Sequence, residues 1–373
     1  MGFFLPMPPV AGGATEKSWH GLAREFARRG HDVTVLSRTW PGWPRSEIID
    51  GVQFRRIGGH AHTTRLTVNL FLDFWWSIRV WCALPAGDVT VVNCIALPVW
   101  LGWLRRRAGR LAVMTGRMPK GQYRLYRRVD RVLAVSSPVR AAVLTENPRL
   151  ADAIRVTGYP IHWTRLAAPR PPASPETPVT LGFVGRLHVE KGLDLLVAAL
   201  AKLAGQSGLP SWKIILCGPD DVARGGSGPA YAQRLREQLT ATLPAGALEI
   251  RPAEFDDERL AEVYRSFDIF CYPSLAAHGE TFGVAVAEAM AAGAVPVVSA
   301  LPCFSDFVTD GVDGEVFDHG ATDAPGRLAA ILARLIADPA RRTRLSAAAQ
   351  TTARRYDFTA CAERLLTDFS TLK

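Results

Sequence analysis

Two carboxylates eight residues apart, Glu280 and Glu288, bracket the run Thr281-Phe282-Gly283-Val284-Ala285-Val286-Ala287. From Phe282 to Ala292 the chain is apolar and Ala-rich, the composition of a buried helix, and Ser274 to Glu280 reads as the loop entering it from a strand at 268–272. Glu280 then stands at the helix mouth and Glu288 about two turns further in. A carboxylate is an acceptor-only group suited to sugar hydroxyls, and the first-turn N–H groups of a helix favour an anion. The chemistry this pairing suits is the binding of a phosphorylated sugar.

Two other loops carry residues of the same kind. Gly185-Arg186-Leu187-His188-Val189-Glu190-Lys191-Gly192 sets two cations at a strand-to-helix junction, where they could neutralise charge growing on a departing diphosphate. Gly12-Gly13 precedes a helix expected over Thr15–Arg29, and the pair reads equally as a turn or as a phosphate cradle. His31, His188 and His278 lie beside these segments and read as structural. No D-x-D sequence occurs, and the six cysteines are scattered without a C-x-x-C pair, so they read as reduced core residues and no metal is expected.

The elements that must position these loops follow from periodicity. Short apolar runs at 2–5, 32–36, 53–57, 89–92, 111–114 and 131–135 alternate with amphipathic stretches, the pattern of a parallel sheet covered by helices. Pro169 to Pro178 contains five prolines and reads as an extended linker, after which the pattern restarts. Strands are expected at 179–184, 212–217, 248–250, 268–272 and 295–298. Helices are expected at 192–203, 231–242, 257–266, 282–292, 324–338, 340–352 and 358–370. The expected organisation is α/β throughout: an N-terminal domain over 1–168, the linker over 169–178, a C-terminal domain over 179–355 and a last helical segment over 356–373.

The Glu280/Glu288 spacing, the G-R-x-x-x-x-K-G run from Gly185 and the Gly12-Gly13-x-x-Glu16 opening followed by Gly30-His31-Asp32-Val33 resemble the family 4 (group 1) retaining glycosyltransferases of the GT-B fold. The resemblance covers nearly the whole chain. It implies two Rossmann-like, doubly wound parallel-sheet domains facing a central cleft, with the last helix crossing back to the N-terminal domain. It also implies a nucleotide-sugar donor, UDP- or GDP-linked, used as a co-substrate without a metal. Glu280 would contact the transferred sugar and Glu288 the ribose. The backbone of Phe282, Gly283 and Val284 would lie near the phosphates, and Arg186 and Lys191 would hold the diphosphate beside Gly185, Gly12 and Gly13. The sequence departs from the family at Leu301-Pro302-Cys303-Phe304-Ser305-Asp306, where relatives have a Gly-Gly pair before Pro-Glu. It departs again at Val113–Met118, where Gly116 or Arg117 takes the place of a His.

Charge is divided along the chain. Residues 1–170 hold 25 Lys and Arg against 10 Asp and Glu, a balance of +15, and residues 171–373 hold 19 against 25, a balance of −6, together the stated +9. The basic half suits an anionic partner, and with no recognisable nucleic-acid module a membrane surface or lipid-linked acceptor is the expectation. Arg124, Arg127, Arg128 and Arg131 recur at helical spacing, a basic stripe if a helix continues that far, with Arg131 reading equally as the start of the strand expected at 131–135; Arg105-Arg106-Arg107 are nearby, and Arg117 is added as an acceptor candidate. Leu66 to Leu84 is rich in aromatics and reads either as a core helix or as one partly exposed to an apolar partner. No run of about 18 uncharged apolar residues and no signal peptide are seen, so the expected location is cytoplasmic, peripheral on the inner face of the cell membrane. The acceptor is expected to be lipid-linked or a growing surface polysaccharide. The alternatives are a GT-B sugar-nucleotide epimerase, which needs acid/base residues not assignable here, and a non-catalytic sugar-nucleotide-binding protein.

Overall fold

The computed structural model describes residues 5–9, 13–61, 63–104, 107–168 and 177–372. Gly12, Arg105, Arg106, most of the expected opening strand (2–4) and most of the linker (169–176) lie outside the described residues. The chain divides into two compact units, one formed by Met1–Pro160 with Phe358–Lys373 and the other by Ile161–Asp357.

In the first unit, helix α1 (Ala14–Arg28) leads to strands β1 (Val33–Arg38), β2 (Ser46–Ile49) and β3 (Val52–Ile57), then to α2 (Leu66–Ala83), β4 (Val89–Val92) and α3 (Leu97–Leu101). Next come β5 (Arg110–Thr115), β6 (Arg131–Ala134), α4 (Ser137–Glu146) and β7 (Ile154–Val156). One sheet runs β4-β5-β6-β7, all parallel; another runs β1-β3-β2, with β1 parallel and β2 antiparallel to β3. β5 and β6 are almost wholly buried, which is why they read as continuous apolar runs without alternation. β2 and β7 were not expected: β2 is short and partly exposed, and β7 has three residues, too few for a periodicity to register.

The second unit begins with α5 (Trp163–Leu166) and β8 (Val179–Val184), followed by α6 (Leu193–Ala204), β9 (Trp212–Cys217), α7 (Pro229–Thr242), β10 (Leu248–Arg251), α8 (Asp257–Arg265) and β11 (Ile269–Tyr272). It continues through α9 (Val284–Ala291), β12 (Val295–Ser299), β13 (Glu315–Phe317), α10 (Ala324–Ala337) and α11 (Pro339–Arg354). Its six strands form one parallel sheet in the order β10-β9-β8-β11-β12-β13. The order reverses between β8 and β11. This is a doubly wound sheet, and the carboxyl ends of those two neighbouring strands are where its ligand site belongs.

The last helix, α12 (Phe358–Ser370), is part of the first unit and packs on α1. The approach is close enough that a Cβ at Gly21 would come within 2.2 Å of the Phe358 ring, so only glycine fits there. The same helix is tied to β6 by an ion pair between Asp368 and the buried Arg131 at 2.7 Å.

The structure decides between the two readings of the Arg124–Arg131 segment: no helix carries a stripe that far, and Arg131 belongs to the strand. The chain makes only a single 3-10 turn over Gln122–Leu125, and Arg131 opens β6 with its side chain buried. The helix cannot continue because Tyr123 and Tyr126 are both turned into the core, ring centroids 4.8 Å apart. Arg124, Arg127 and Arg128 remain exposed, and Arg128 stacks over the Trp103 ring at 3.8 Å. Among the described residues no helix is long and apolar enough to cross a membrane.

Candidate active site

The loop leaving β8 carries the two cations. Val179 to Phe183 are buried, and Arg186 emerges half-exposed just past the strand end. Its guanidinium donates to the Gly225 carbonyl at 3.0 Å and forms an ion pair with Glu190. A single 3-10 turn, Val189–Lys191, is started by His188, whose Nδ1 accepts the Glu190 backbone N–H at 3.2 Å. That bond requires an unprotonated Nδ1, so His188 serves the loop's shape. At Gly192, with φ of +69°, a Cβ would come within 2.0 Å of the Pro273 carbonyl oxygen. The β8 and β11 loops thus touch backbone to backbone, and the Leu275 N–H donates to the Glu190 carbonyl at 2.8 Å.

This contact brings together residues distant in sequence. Lys191 Nζ donates to Glu280 Oε2 at 2.7 Å, with the two side chains only 7% and 10% exposed. The ammonium also lies 5.3 Å from the centre of the Tyr272 ring. Burial, and next the charge of Glu280, hold the Tyr272 phenol well above its usual range, so Tyr272 stays a hydrogen-bond donor to that carboxylate.

Past Glu280, Phe282 is buried between Phe307 and Tyr356, ring centroids 4.8 and 5.1 Å away, which fixes where the chain turns into α9. Gly283 is the N-cap of α9 and Val284 its first residue, so the helix, with its unpaired first-turn amides, starts four residues after Glu280. Glu288 lies on the same helix and accepts the hydroxyl of Tyr264 at 2.8 Å. Tyr264 is fully buried, and its phenol is raised by burial and by the charge of Glu288. Neither tyrosine was singled out from sequence, because each reads as an ordinary core aromatic until its hydroxyl is placed.

Of the expected site residues, Gly185, Arg186, Lys191, Glu280, Phe282, Gly283, Val284 and Glu288 all belong to the β8 and β11 loops and α9. Gly13 and Arg117 belong to the first unit. There Gly13, with φ of +91°, caps α1, and Arg117 is exposed just after β5. Beside them Thr15 Oγ1 and the Tyr159 hydroxyl lie 3.2 Å apart, and that hydroxyl donates to the Gly116 carbonyl at 3.4 Å. Burial raises the carboxyl of Glu16 above the usual range, with its own backbone N–H and then Arg117 pulling the other way. Among the described residues no cluster of three or more His, Cys, Asp or Glu is arranged to hold a metal, and all six cysteines are free thiols.

The second unit therefore offers a cation, a carboxylate and a helix N-terminus together at the carboxyl end of β8 and β11, with a second carboxylate on the same helix. A group bearing both phosphate and hydroxyls suits that arrangement.

Comparison with known proteins bears on the same region. The family described as "Glycosyl transferases group 1" matches residues 165–352, and "Glycosyltransferase Family 4" matches residues 11–161. A D-inositol 3-phosphate glycosyltransferase of Kineococcus radiotolerans is 27% identical over 92% of this chain and 87% of its own length. One of the same name from Stackebrandtia nassauensis is 32% identical over 54% of this chain and 44% of its own length. A phosphatidyl-myo-inositol mannosyltransferase of Mycolicibacterium smegmatis is 32% identical over 52% of this chain and 45% of its own length. With the last two the alignment spans less than half of the relative. Among solved structures, a sucrose-phosphate synthase from Thermosynechococcus elongatus superposes with a TM-score of 0.74 at 20% identity, over 97% of this chain and 94% of its own. An Anabaena protein in complex with UDP and glucose superposes with a TM-score of 0.69 at 17% identity, over 97% of both chains. These likenesses give the fold as GT-B, and the family matches show that the chain belongs to the group 1, family 4 glycosyltransferases.

Proposed function

We propose that the protein transfers a sugar from a nucleotide-sugar donor to a hydroxyl acceptor, with retention of anomeric configuration and without a metal. The observation that carries this reading is the buried Lys191–Glu280 pair at the mouth of α9. It sets a cation, which suits a diphosphate, 2.7 Å from a carboxylate, which suits sugar hydroxyls. The bond to be broken joins those two parts of a nucleotide sugar.

When that bond breaks, its electron pair stays with the diphosphate. Arg186 and Lys191 supply two positive charges there, joined by the α9 amides of Gly283 and Val284, and fixed charges of this kind lower the barrier most where charge develops. Glu280 orients the sugar, and Tyr272 orients Glu280. Glu288, held by Tyr264, grips the ribose. The acceptor is proposed to be lipid-linked or a growing saccharide. Because the named relatives act on inositol compounds, inositol phosphates belong in the acceptor screen. UDP appears with the Anabaena protein, which makes UDP-sugars the first donors to test, with GDP-sugars beside them.

Thermal melting in the presence of UDP, GDP and their sugars tests the donor assignment, since binding to the folded state raises the melting temperature. The melting shift should persist with chelator. If no nucleotide or nucleotide sugar shifts the transition, or if a shift needs a divalent metal, the corresponding part of the proposal fails.

A further inference from the structure

Helix α2 is built inside out. Its inward face carries Asn69, Asp73 and Ser77, spaced four apart and all buried, alongside Trp76 and Val80. Each polar group has a defined partner. Asn69 exchanges hydrogen bonds with the Thr63 backbone at 2.9 and 2.7 Å. Asp73 accepts the N–H groups of Ile95 and Ala96 at 3.0 and 2.7 Å. Ser77 accepts the indole N–H of Trp100 at 3.1 Å. Its outward face is apolar: Leu66 is 68% exposed, Leu70 44%, Phe71 67%, Phe74 50% and Trp75 44%. A helix in water arranges its residues the other way round, and a contiguous exposed patch of this kind marks a surface that something apolar covers.

The charge around this face says what that something is. Beside the last turns of α2 lies an open cavity of about 580 Å³, lined by Arg45, Arg56 and Arg79 together with Trp75, Ile78 and Cys82. Arg56 is buried and ion-paired with Glu47, so it braces the wall. Arg45 is exposed, and Arg79 sits 5.6 Å from the Trp75 ring while donating to the Gly58 carbonyl at 2.7 Å. An arginine laid along an aromatic ring at the edge of an apolar face is the arrangement of a side chain whose charge meets a headgroup layer while its neighbours meet acyl chains. α2 does not reach the length and apolarity of a membrane span, so it lies on the surface.

We propose that the outward face of α2 docks on an anionic bilayer, with a phospholipid phosphate in the cavity formed by Arg45 and Arg79 and the Leu70, Phe71, Phe74 and Trp75 side chains among the upper acyl carbons. The inference is independent of the transfer reaction, since it concerns binding alone. It identifies the basic, aromatic docking surface with α2 and its neighbouring arginines, a different place from the Arg124–Arg131 segment.

The test is co-sedimentation of the full chain with phosphatidylcholine vesicles, with and without phosphatidylglycerol. Binding should require the anionic lipid and weaken with salt. Leu70→Ser with Phe71→Ser should lower the partition coefficient by about tenfold or more, the scale set by withdrawing two large apolar side chains. Arg45→Ser should lower it about fivefold, the equivalent of ~1 kcal/mol for one basic residue near the surface. All these positions are exposed, so the thermal transition should not move, and Arg45→Ser gives a second readout should the serine pair perturb folding. Binding that is equal on neutral and anionic vesicles, or absent from both, overturns the proposal. So does a dimer seen by light scattering without vesicles and lost in the Leu70→Ser, Phe71→Ser variant, which would mean that a second copy covers the face.

Discussion

Replacing Lys191 by Met should cost stability as well as activity, and the size of the loss follows from burial. The Lys191 and Glu280 side chains are 7% and 10% exposed, and their charged atoms are 2.7 Å apart. At an effective dielectric of about 20, two charges centred about 4 Å apart attract by roughly 4 kcal/mol. Removing one partner leaves the other buried and uncompensated, a change that costs about 3–5 kcal/mol. Tyr272 remains as a donor to Glu280 and offsets part of this, so the lower end, about 3 kcal/mol, is expected. For a unit spanning 161–357 that corresponds to a fall of roughly 6–12 °C in melting temperature. The double variant Lys191→Met, Glu280→Gln removes both charges and should regain most of the loss while remaining inactive. Denaturant unfolding of wild type, both single variants and the double variant closes the cycle. A Lys191→Met variant within about 0.5 kcal/mol of wild type would refute the reasoning, because the pair would then behave as an exposed one.

Further expected outcomes concern the same loops and the first unit. Arg186 is half-exposed and its partners are on the loop surface, so Arg186→Ala should keep the melting temperature and lose about a hundredfold or more in turnover, the scale for removing one charge-stabilising donor; near-normal turnover would remove its role. Glu288→Gln should mainly raise the donor Michaelis constant, with Tyr264→Phe moving the same parameter by a smaller factor, while Glu280→Gln lowers turnover as well; equal proportional changes in all three would break the division of roles. Gly192→Ala puts a Cβ against the Pro273 carbonyl at a positive φ and should destabilise by about 2 kcal/mol or more in denaturant melts, whereas a neutral substitution would mean the two loops are not in backbone contact. The folded-state pKa of Glu16 is raised, so the fold favours its protonated form and loses that advantage as pH climbs from the unfolded value, about 4.5, through the folded one. Glu16→Gln should therefore gain on wild type in urea melts between pH 4 and pH 7, and a constant difference across that range would contradict the burial argument.

The loops after β8 and β11 were legible in the sequence because their residue types are informative by themselves: two cations after a strand, two acids around Gly283. The doubly wound class of the second sheet was implied by the family resemblance and not by any periodicity, and its sixth strand, β13, was not expected because three residues are too few for an alternation to register. What could not be read was how side chains reach across it. Tyr264 belongs to α8 and Tyr272 to β11, and only the fold brings their hydroxyls to Glu288 and Glu280. The four-residue spacing of Asn69, Asp73 and Ser77 is visible in the sequence, yet which face of α2 they occupy depends on partners at Thr63, Ile95, Ala96 and Trp100. A polar stripe normally faces water; here the tertiary partners reverse the rule. The arginine stripe failed for a related reason, since spacing alone treated Tyr123 and Tyr126 as passengers when their burial sets the local backbone.

The central claim is that a nucleotide sugar is cleaved between the Arg186/Lys191 loop and Glu280, and incubation with UDP- and GDP-sugars without acceptor tests it without knowing the acceptor. Proton NMR, followed from the first turnovers, reads both donor loss and the anomeric form of the sugar released by slow transfer to water. The account predicts that at least one nucleotide sugar is consumed with chelator present, that the sugar first appears in the anomeric configuration of the donor, and that Arg186→Ala abolishes the signal. Consumption of no donor, release of the opposite anomer, or equal rates in wild type and Arg186→Ala would contradict it.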